Sequence, residues 1–332
     1  MPASAKKTRI EDVAQAAGVA RSTAAMALRG SPRLREATIL KVREAADLLG
    51  YVYDRLAARL RSGRSNTVGL LVCEITNPFY AELTAGVQAA LEGAGMAAFL
   101  ANTDESPLRQ RAMLERFREQ RADGVILVPA AGTRPALLDE LDRWGMPWVT
   151  MVRGFRRGSH AGADDRGGIL LATRHLIGLG HKRIAFLGGA AVSSSSLRRR
   201  AGYLFAMRAA GLTPQLLPCL SEIGAASAIA SGLARGGPTA LVCFNDSVAF
   251  GAMLGLARAG RVPGRDVAVT GFDDIRAAAH WVPPLTTVRA HPAEIGAAAA
   301  SLLLERIAHP DAPTRRVILP PELVIRSSCG SA

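Results

Sequence analysis

The sequence predicts a small all-α helix-turn-helix head followed by an α/β core of two doubly wound parallel-sheet lobes. Residues 8–30 have the pattern of a helix, a turn at Gly18 and a second helix that begins at Arg21. From Thr67 onwards, apolar runs of strand length alternate with helical stretches, which is typical of parallel sheets covered on both faces. The expected boundaries are 1–50 for the head, 51–66 for a hinge helix and linker, and 67–332 for the core.

The head has the local signals of three short helices. Thr8 and Glu11 have the spacing of a capping box, which predicts the start of the first helix. Gly18 can adopt the left-handed conformation that ends it. A third helix is predicted from apolar positions at Ile39, Val42, Ala46 and Leu49. In a unit of this kind the second helix can lie in the major groove of DNA. The alternative interpretation of the same pattern is an Ala-rich pair of helices within a larger domain.

Basic residues are concentrated in this part of the chain. The whole sequence has a net charge of +13, and residues 1–66 contain 13 Lys and Arg against 6 Asp and Glu, a net charge of +7. Lys and Arg release counterions from nucleic-acid phosphates, so the gradient indicates a polyanionic partner. Arginine is frequent throughout the chain, so a generally basic proteome is the alternative explanation.

Several classes of protein are disfavoured by the sequence. No apolar run approaches 18 residues, and residues 1–12 lack the apolar segment of a signal peptide, so we expect no membrane association. The four cysteines are scattered without a CxxC pair, which favours a reducing cytoplasm over disulfides or zinc. Walker, GxSxG and HExxH motifs are missing. We therefore expect a cytoplasmic protein that is not an enzyme and uses no cofactor or metal.

Residues 51–66 are expected to join the head to the core. Leu56, Ala57 and Leu60 share one helical face, and arginines surround it. A short helix this rich in arginine is marginally stable alone and could fold when it meets DNA. A flexible linker is the alternative, and the pattern favours neither.

The core has seven apolar runs of strand length, which are too many for one compact sheet and suit two similar lobes. Ligands bind at the carboxyl ends of such strands. The runs are 68–72, 96–100, 124–128, 148–152, 183–188, 240–244 and 267–272. The helical stretches between them are 78–94, 106–120, 166–179, 198–210, 246–259 and 293–308.

A series of segments resembles the LacI/GalR family of bacterial transcription regulators along essentially the whole chain. The head has IEDVAQAAGV, and LGYVYDRLAARLRSG resembles the family's hinge helix. The core has NPFYAEL, ADGVILV, ADDRGG, HLIGLGHKRIAFLGG, RRRAGYLFAM, VCFNDSVAFGAM, VAVTGFDD and PPELVIRSS in the family's order and at consistent spacing. One segment alone is a weak signal, whereas the ordered series is a strong one.

The resemblance implies a periplasmic-binding-protein-like core, in which the chain crosses between lobes three times. It also implies a homodimer that binds double-stranded operator DNA, most often as a repressor, with a small sugar-like or other metabolite as effector between the lobes. The sequence has no heptad helix after the core, which favours a dimer over a tetramer. The N-lobe is expected at about 67–163 and 292–320, and the C-lobe at about 164–291 and 321–332.

By resemblance, the second helix of the head carries the residues that contact DNA. Arg21 and Ser22 take the family's base-reading positions, although a phosphate contact is the alternative for Arg21. Leu60 matches the hinge leucine that wedges into the minor groove, and its alternative is packing between two hinge helices. The full set implied is Arg21, Ser22, Thr23, Met26, Arg29 and Leu60.

The resemblance also implies the residues that hold the effector. An aromatic pair can stack on a ring, or can simply pack within the lobe, and an arginine opposite Asp and Asn can grip a polyol. By contrast, Asp274 is expected to be a helix N-cap and Asp246 to be structural. The effector residues implied are Phe79, Tyr80, Arg199, Asn245 and Asp273.

Some positions depart from the family. Val152 stands where many members have an Asp, which weakens the assignment of a sugar and leaves room for a less polar or anionic effector. Arg153 and Arg156 would suit an anion but could be surface charges. The run 193–196 could contact an anionic group or form a mobile loop. Ala20 and Tyr53 replace the family's usual Ser and Pro.

Two alternatives to an effector-released repressor stay open. One is a repressor that requires a corepressor and responds to an effector that is not a sugar. The other is a periplasmic-type solute-binding protein without a DNA function, which would gain nothing from a basic head.

Overall fold

The computed structural model describes residues 8–28, 31, 33–51, 65–189 and 192–330. They belong to two compact units, residues 1–64 and 65–332. The expected hinge helix lies almost entirely outside the described residues, as do Arg29, Tyr53 and Leu60.

The head contains three helices, α1 (Ile10–Ala16), α2 (Arg21–Leu28) and α3 (Glu36–Leu48). Its core is made of small apolar side chains, so the short helices can approach closely. Gly18 has a φ of +60° and forms the turn between α1 and α2. The fully buried members of this core include Val13, Ala24, Ala27 and Val42.

The predicted capping box at the start of α1 is wrong by one residue. The N-cap is Arg9, and the Asp12 carboxylate accepts a hydrogen bond of 2.7 Å from its backbone N–H, while the Arg9 side chain makes no capping bond. The Thr8 hydroxyl instead donates to the Leu49 carbonyl at 3.1 Å. Thr8 therefore ties the start of the head to the end of α3.

The first part of the core is a six-stranded parallel sheet with the order β11-β5-β4-β3-β1-β2. Its central strands are buried throughout, which explains their continuous apolar runs. The strands are β1 (Thr67–Val72), β2 (Ala97–Asn102), β3 (Gly124–Leu127), β4 (Trp148–Met151), β5 (His160–Ala163) and β11 (Arg316–Leu319). The helices of this lobe are α4 (Pro78–Gly93), α5 (Pro107–Glu119), α6 (Ala136–Arg143) and α11 (Pro292–Ala308).

The second lobe has a four-stranded parallel sheet with the order β7-β6-β8-β9. A separate antiparallel pair joins β10 to β12. The strands are β6 (Ile184–Leu187), β7 (Gln215–Leu217), β8 (Ala240–Cys243), β9 (Ala268–Thr270), β10 (Thr287–Arg289) and β12 (Glu322–Val324). The helices are α7 (Asp165–Gly178), α8 (Ser194–Ala209), α9 (Ile223–Ser231) and α10 (Asp246–Arg258).

The chain passes between the two lobes at three places. It leaves the six-stranded sheet after β5, returns to it with α11, and leaves it again between β11 and β12. The six-stranded sheet is therefore built from two separate stretches of chain, whereas β6–β9 come from one, and the carboxyl ends of strands from both lobes line one crevice. Ligand sites of open α/β sheets form at such ends.

Glycines allow the closest helix contacts of the core. In the α4–α11 pair, a Cβ added at Gly86 would collide with the Ala293 carbonyl oxygen, and one added at Gly296 would collide with the Leu83 carbonyl oxygen. The same relation holds for α7 with α8 at Gly202, and for α9 with α10 at Gly251 and Gly255. The helix backbones touch at each of these crossings, because glycine has no side chain to hold them further apart.

We expect Gly86→Ala to destabilise the core by about 1–3 kcal/mol, because the added methyl overlaps backbone that cannot rotate away. Gly93→Ala is the matched control, since it lies in the same helix and its Cβ would meet open space. Urea unfolding of the two variants measures the difference. Equal stability of Gly86→Ala and the parent protein would contradict the glycine contact.

His160 is a fully buried histidine in β5. Its Nδ1 lies 3.0 Å from the Thr150 hydroxyl, whereas its Nε2 is buried and has no partner in the described part of the chain. Burial, together with the charges of Arg316 and Arg198, lowers the pKa of His160 from 6.5 to about 3. The ring is therefore neutral in the folded protein at physiological pH.

As the pH falls from 6.5 towards 3, the unfolded chain binds a proton at His160 that the folded chain does not. The free energy of unfolding should therefore fall by up to about 1.4 kcal/mol per pH unit from this group alone. Denaturant unfolding at several pH values should show a shallower slope for His160→Gln than for the parent protein. Identical slopes for parent and His160→Gln would rule the effect out.

Candidate functional site

A cavity of about 450 Å³ lies between the two lobes of the core. Its lining follows the carboxyl ends of β1, β2, β4, β6, β8 and β9, so six strands converge on it. All five residues predicted to hold an effector contribute to its wall, namely Phe79, Tyr80, Arg199, Asn245 and Asp273.

Arg199 extends from α8 and is only 4% exposed. Its Nε donates to Asp165 Oδ1 at 2.7 Å, and its Nη1 donates to the Phe244 carbonyl at 2.7 Å. The guanidinium also lies 3.7 Å from the centre of the Phe272 ring. Sequence reasoning found Arg199 but missed its partner Asp165, which lies in the ADDRGG segment at the start of α7.

Asp273 follows β9 and has the unusual φ of +120° for a residue other than glycine. One of its oxygens lies 3.6 Å from Arg199 Nη2. Burial raises the pKa of Asp273 to about 7, because the opposing charge of Arg199 does not offset burial together with the negative charges of Asp165 and Glu74. The carboxyl group is therefore able to accept or donate a hydrogen bond near neutral pH.

Asn245 is the N-cap of α10 and is 4% exposed. Its Oδ1 accepts from the backbone N–H of Val248 at 3.0 Å, which satisfies one of the free donors at the helix start. The side-chain NH₂ group is left for the cavity. The cap thus fixes the orientation of a hydrogen-bond donor in the wall.

Phe79 and Tyr80 lie in the first turn of α4, which begins with the Asn77 cap and Pro78. Their rings meet edge to face, with centroids 5.3 Å apart, and both are largely buried. The Tyr80 hydroxyl lies 2.9 Å from the Cys73 sulfur. The pair therefore packs within the lobe, and both residues line the cavity.

Val152 and Arg153 follow β4 at the cavity wall. Val152 has a φ of +62°, which is strained for a β-branched residue. Arg153 is buried and makes a two-pronged pair with the Glu105 carboxylate at 2.7 and 2.8 Å, so it is a cavity residue that already has a counterion. Arg156 is exposed and does not line the cavity.

Residues 193–196 are ordered as the start of α8, so the alternative of a mobile loop is wrong. The Ser193 hydroxyl accepts from the backbone N–H of Ser196 and caps the helix. Ser194 accepts from the Gly154 N–H at 3.2 Å, and Ser195 donates to the Val152 carbonyl at 3.4 Å. These bonds join the second lobe to the first beside the cavity.

Asp274 is not a helix N-cap, which corrects the expectation from sequence. Its carboxylate accepts from Arg289 Nε at 2.8 Å and from Arg326 Nη2 at 2.7 Å. The following 3₁₀ turn begins two residues later and takes its cap at Ile275. Asp246 is fully buried and accepts from the Ile275 N–H and the Thr287 hydroxyl, which is a structural role.

In the head, α2 presents one buried and one open face. Ala24 and Ala27 are buried against the other helices, while Arg21 and Ser22 are exposed and Thr23 and Met26 are partly exposed. Arg21 Nε lies 2.9 Å from the Glu11 carboxylate of α1. Ion pairs at this level of exposure contribute little stability, so Arg21 can be released to another partner.

Among residues 8–28, 33–51, 65–189 and 192–330, no group of three or more His, Cys, Asp or Glu side chains is arranged to hold a metal ion. None of the described helices combines the length and the apolar character needed to cross a bilayer.

Both units match models of known families. Residues 9–54 match "Bacterial regulatory proteins, lacI family", and residues 65–327 match "Periplasmic binding proteins and sugar binding domain of LacI family". Together the two models account for nearly the whole described chain.

Relatives match along their full length. The maltose regulon regulatory protein MalI of Escherichia coli (strain K12) is 35% identical over 97% of this chain and 99% of its own. The structure of the transcriptional regulator CelR in complex with cellobiose is 31% identical, covers 97% of this chain and 99% of its own, and has a TM-score of 0.74.

The Lac repressor dimer bound to operator and the anti-inducer ONPF has a TM-score of 0.85, covers 98% of this chain and 99% of its own, and at 22% identity supports the fold alone. With both family models and full-length relatives in agreement, the chain belongs to the LacI family of bacterial regulatory proteins, with a helix-turn-helix DNA-binding head and a two-lobed periplasmic-binding-protein-like core.

Proposed function

We propose that this regulator is a repressor that binds operator DNA as a homodimer and changes its affinity when a small metabolite binds between the core lobes. The observation that carries this proposal is the convergence of Phe79, Tyr80, Arg199, Asn245 and Asp273 on one cavity at the carboxyl ends of both sheets. The proposal is also supported by similarity to the regulators MalI and CelR over 97% of this chain.

The open face of α2 supports direct reading of DNA. Arg21 and Ser22 are accessible at the start of the helix, which is the end that a recognition helix presents to base edges. An arginine at this position can donate two hydrogen bonds to a guanine. Thr23 and Met26 would then meet phosphate and apolar base atoms from the same face.

Ligand control is supported by the small number of bonds that join the lobes beside the cavity. Ser194 and Ser195 contact the segment after β4, and Arg276 lies 3.5 Å from Glu82 of the other lobe. A ligand that contacts both walls would favour the closed arrangement by its differential affinity for the two lobe angles. In a homodimer, a change in the angle between the lobes would change the distance between the two DNA-binding heads.

The first test is in vitro selection of genomic DNA fragments with the purified full-length protein, followed by sequencing. We expect a near-palindromic site, and metabolites linked to the neighbouring genes are then tested for release of that DNA. Enrichment only in the presence of a metabolite would identify a corepressor. Failure to enrich any sequence, with and without metabolites, would contradict the proposal.

Arg21→Ala should weaken binding to the selected operator by about 1–3 kcal/mol and relax the preference at one base pair, because a paired donor to one base is lost. Binding to a scrambled fragment of the same length should change much less. Titration of both fragments by fluorescence anisotropy measures the two effects. An equal loss on both fragments would make Arg21 a phosphate contact.

Asp273→Asn should abolish release of the operator by the metabolite and keep operator affinity within about twofold, since the change is isosteric and lies in the core cavity. Arg199→Ala should lose the response as well, although it also leaves the buried Asp165 without its partner. Gel-shift titration with and without metabolite is the measurement. A normal response in Asp273→Asn would place the effector elsewhere.

A further inference from the structure

The cavity wall is acidic in a chain that is basic overall. Five carboxylate residues contribute to the lining, against two arginines, whereas the whole sequence has a net charge of +13. The acidic residues are Glu74, Asp104, Glu105, Glu222 and Asp273. An acidic cavity attracts cationic ligands and repels anionic ones.

The two arginines of the lining are already neutralised within the protein. Arg153 is paired with Glu105 at 2.7 Å, and Arg199 is paired with Asp165 at 2.7 Å. Asp104 in turn is paired with Arg109 outside the cavity. An anionic ligand would therefore have to displace a carboxylate from a guanidinium, which argues against the anionic effector that Val152 and Arg153 suggest from sequence.

Two of the five carboxylates have no cationic partner in the part of the chain that the structure describes. Glu74 follows β1 in the first lobe, and Glu222 immediately precedes α9 in the second. The pKa of Glu74 is raised by its partial burial and by the negative charges of Glu105 and Glu222. Glu74 and Glu222 therefore line the same cavity from opposite lobes.

Deeper in the cavity, the free hydrogen-bonding groups suit a hydroxylated molecule. Asn245 is only 4% exposed, and its NH₂ group has no acceptor among the described residues. In the part of the chain that the structure describes, the Asp273 carboxylate has one ionic contact, at 3.6 Å from Arg199 Nη2, and Arg199 is also paired with Asp165. An amide donor and a carboxyl group that line one cavity can be matched by the hydroxyl groups of a single ligand.

Resting on the proposed function, we infer that the effector is a hydroxylated ring compound with a protonated amine, of the amino-sugar class, whose amine lies between Glu74 and Glu222. The amine neutralises the two apposed carboxylates and removes a repulsion that opposes closure of the lobes. The ring hydroxyls bind Asn245 and Asp273. A neutral sugar of the same shape would leave the repulsion in place.

The test compares matched pairs of probes by isothermal titration and thermal shift on the full-length protein at neutral pH. The probes are glucosamine, galactosamine and mannosamine, each against its parent sugar and its N-acetyl form. We expect at least one amine to bind about tenfold or more tightly than both of its neutral counterparts, since a charge-assisted hydrogen bond is lost in each.

Charge-neutralising variants assign the amine to its site. Glu74→Gln should weaken binding of the amine by about tenfold, and Glu222→Gln, which is more exposed, by about threefold. Affinity for the neutral parents should not fall in either variant, because the same change also removes the repulsion between the two carboxylates. Glu92→Gln is the control, because Glu92 is an exposed acid of α4 that does not line the cavity. A loss of amine binding in the control equal to that in Glu74→Gln would overturn the assignment.

Failure of this inference is distinguishable from failure of the proposed function. Binding of no amine, or equal binding of amine and neutral parent, overturns the inference. If a neutral metabolite then releases the selected operator, the regulatory proposal stands without it. If an amine binds the cavity with the expected preference but never alters operator affinity, the ligand class stands and control by this cavity fails.

Discussion

The core depends on neutralising one buried guanidinium. Arg199 is held by a carboxylate from α7, a carbonyl from the end of β8 and the side chain that follows β9, so three separate stretches of the second lobe must meet at its fork. A buried guanidinium is stable only when its N–H donors have acceptors and its charge has a counterion. The same requirement holds Asp273 at the cavity wall, whereas Asn245 is held there by its cap on α10.

The two lobes are coupled more weakly than each lobe is held together. Within a lobe, helix backbones touch at glycines such as Gly86 and Gly202, so small changes of distance are resisted. Between lobes, the described contacts beside the cavity are a few hydrogen bonds of 3.2–3.4 Å and an exposed ion pair. Rigid bodies joined by weak contacts respond to modest differences in ligand affinity.

Elements with strong local signals were predictable, and those defined by distant partners were not. The buried strands β3 and β8 are continuous apolar runs, whereas β5 is the four residues HAGA and is a strand only because β4 and β11 flank it. Helices α6 and α9 were likewise missed. At the cavity, Arg199 and Asp273 were found through family motifs. Asp165 and Glu105 were missed because their roles come from partners 34 and 48 residues away.

The three passages between lobes have a consequence for synthesis on the ribosome. The four-stranded sheet is complete once β9 has emerged, but the six-stranded sheet lacks its covering helix α11 and its edge strand β11 until residues 292–319 are made. The lobe that begins first is therefore finished last. During that interval the apolar surface that α11 covers is exposed to water, and transiently exposed apolar surface of this kind favours aggregation.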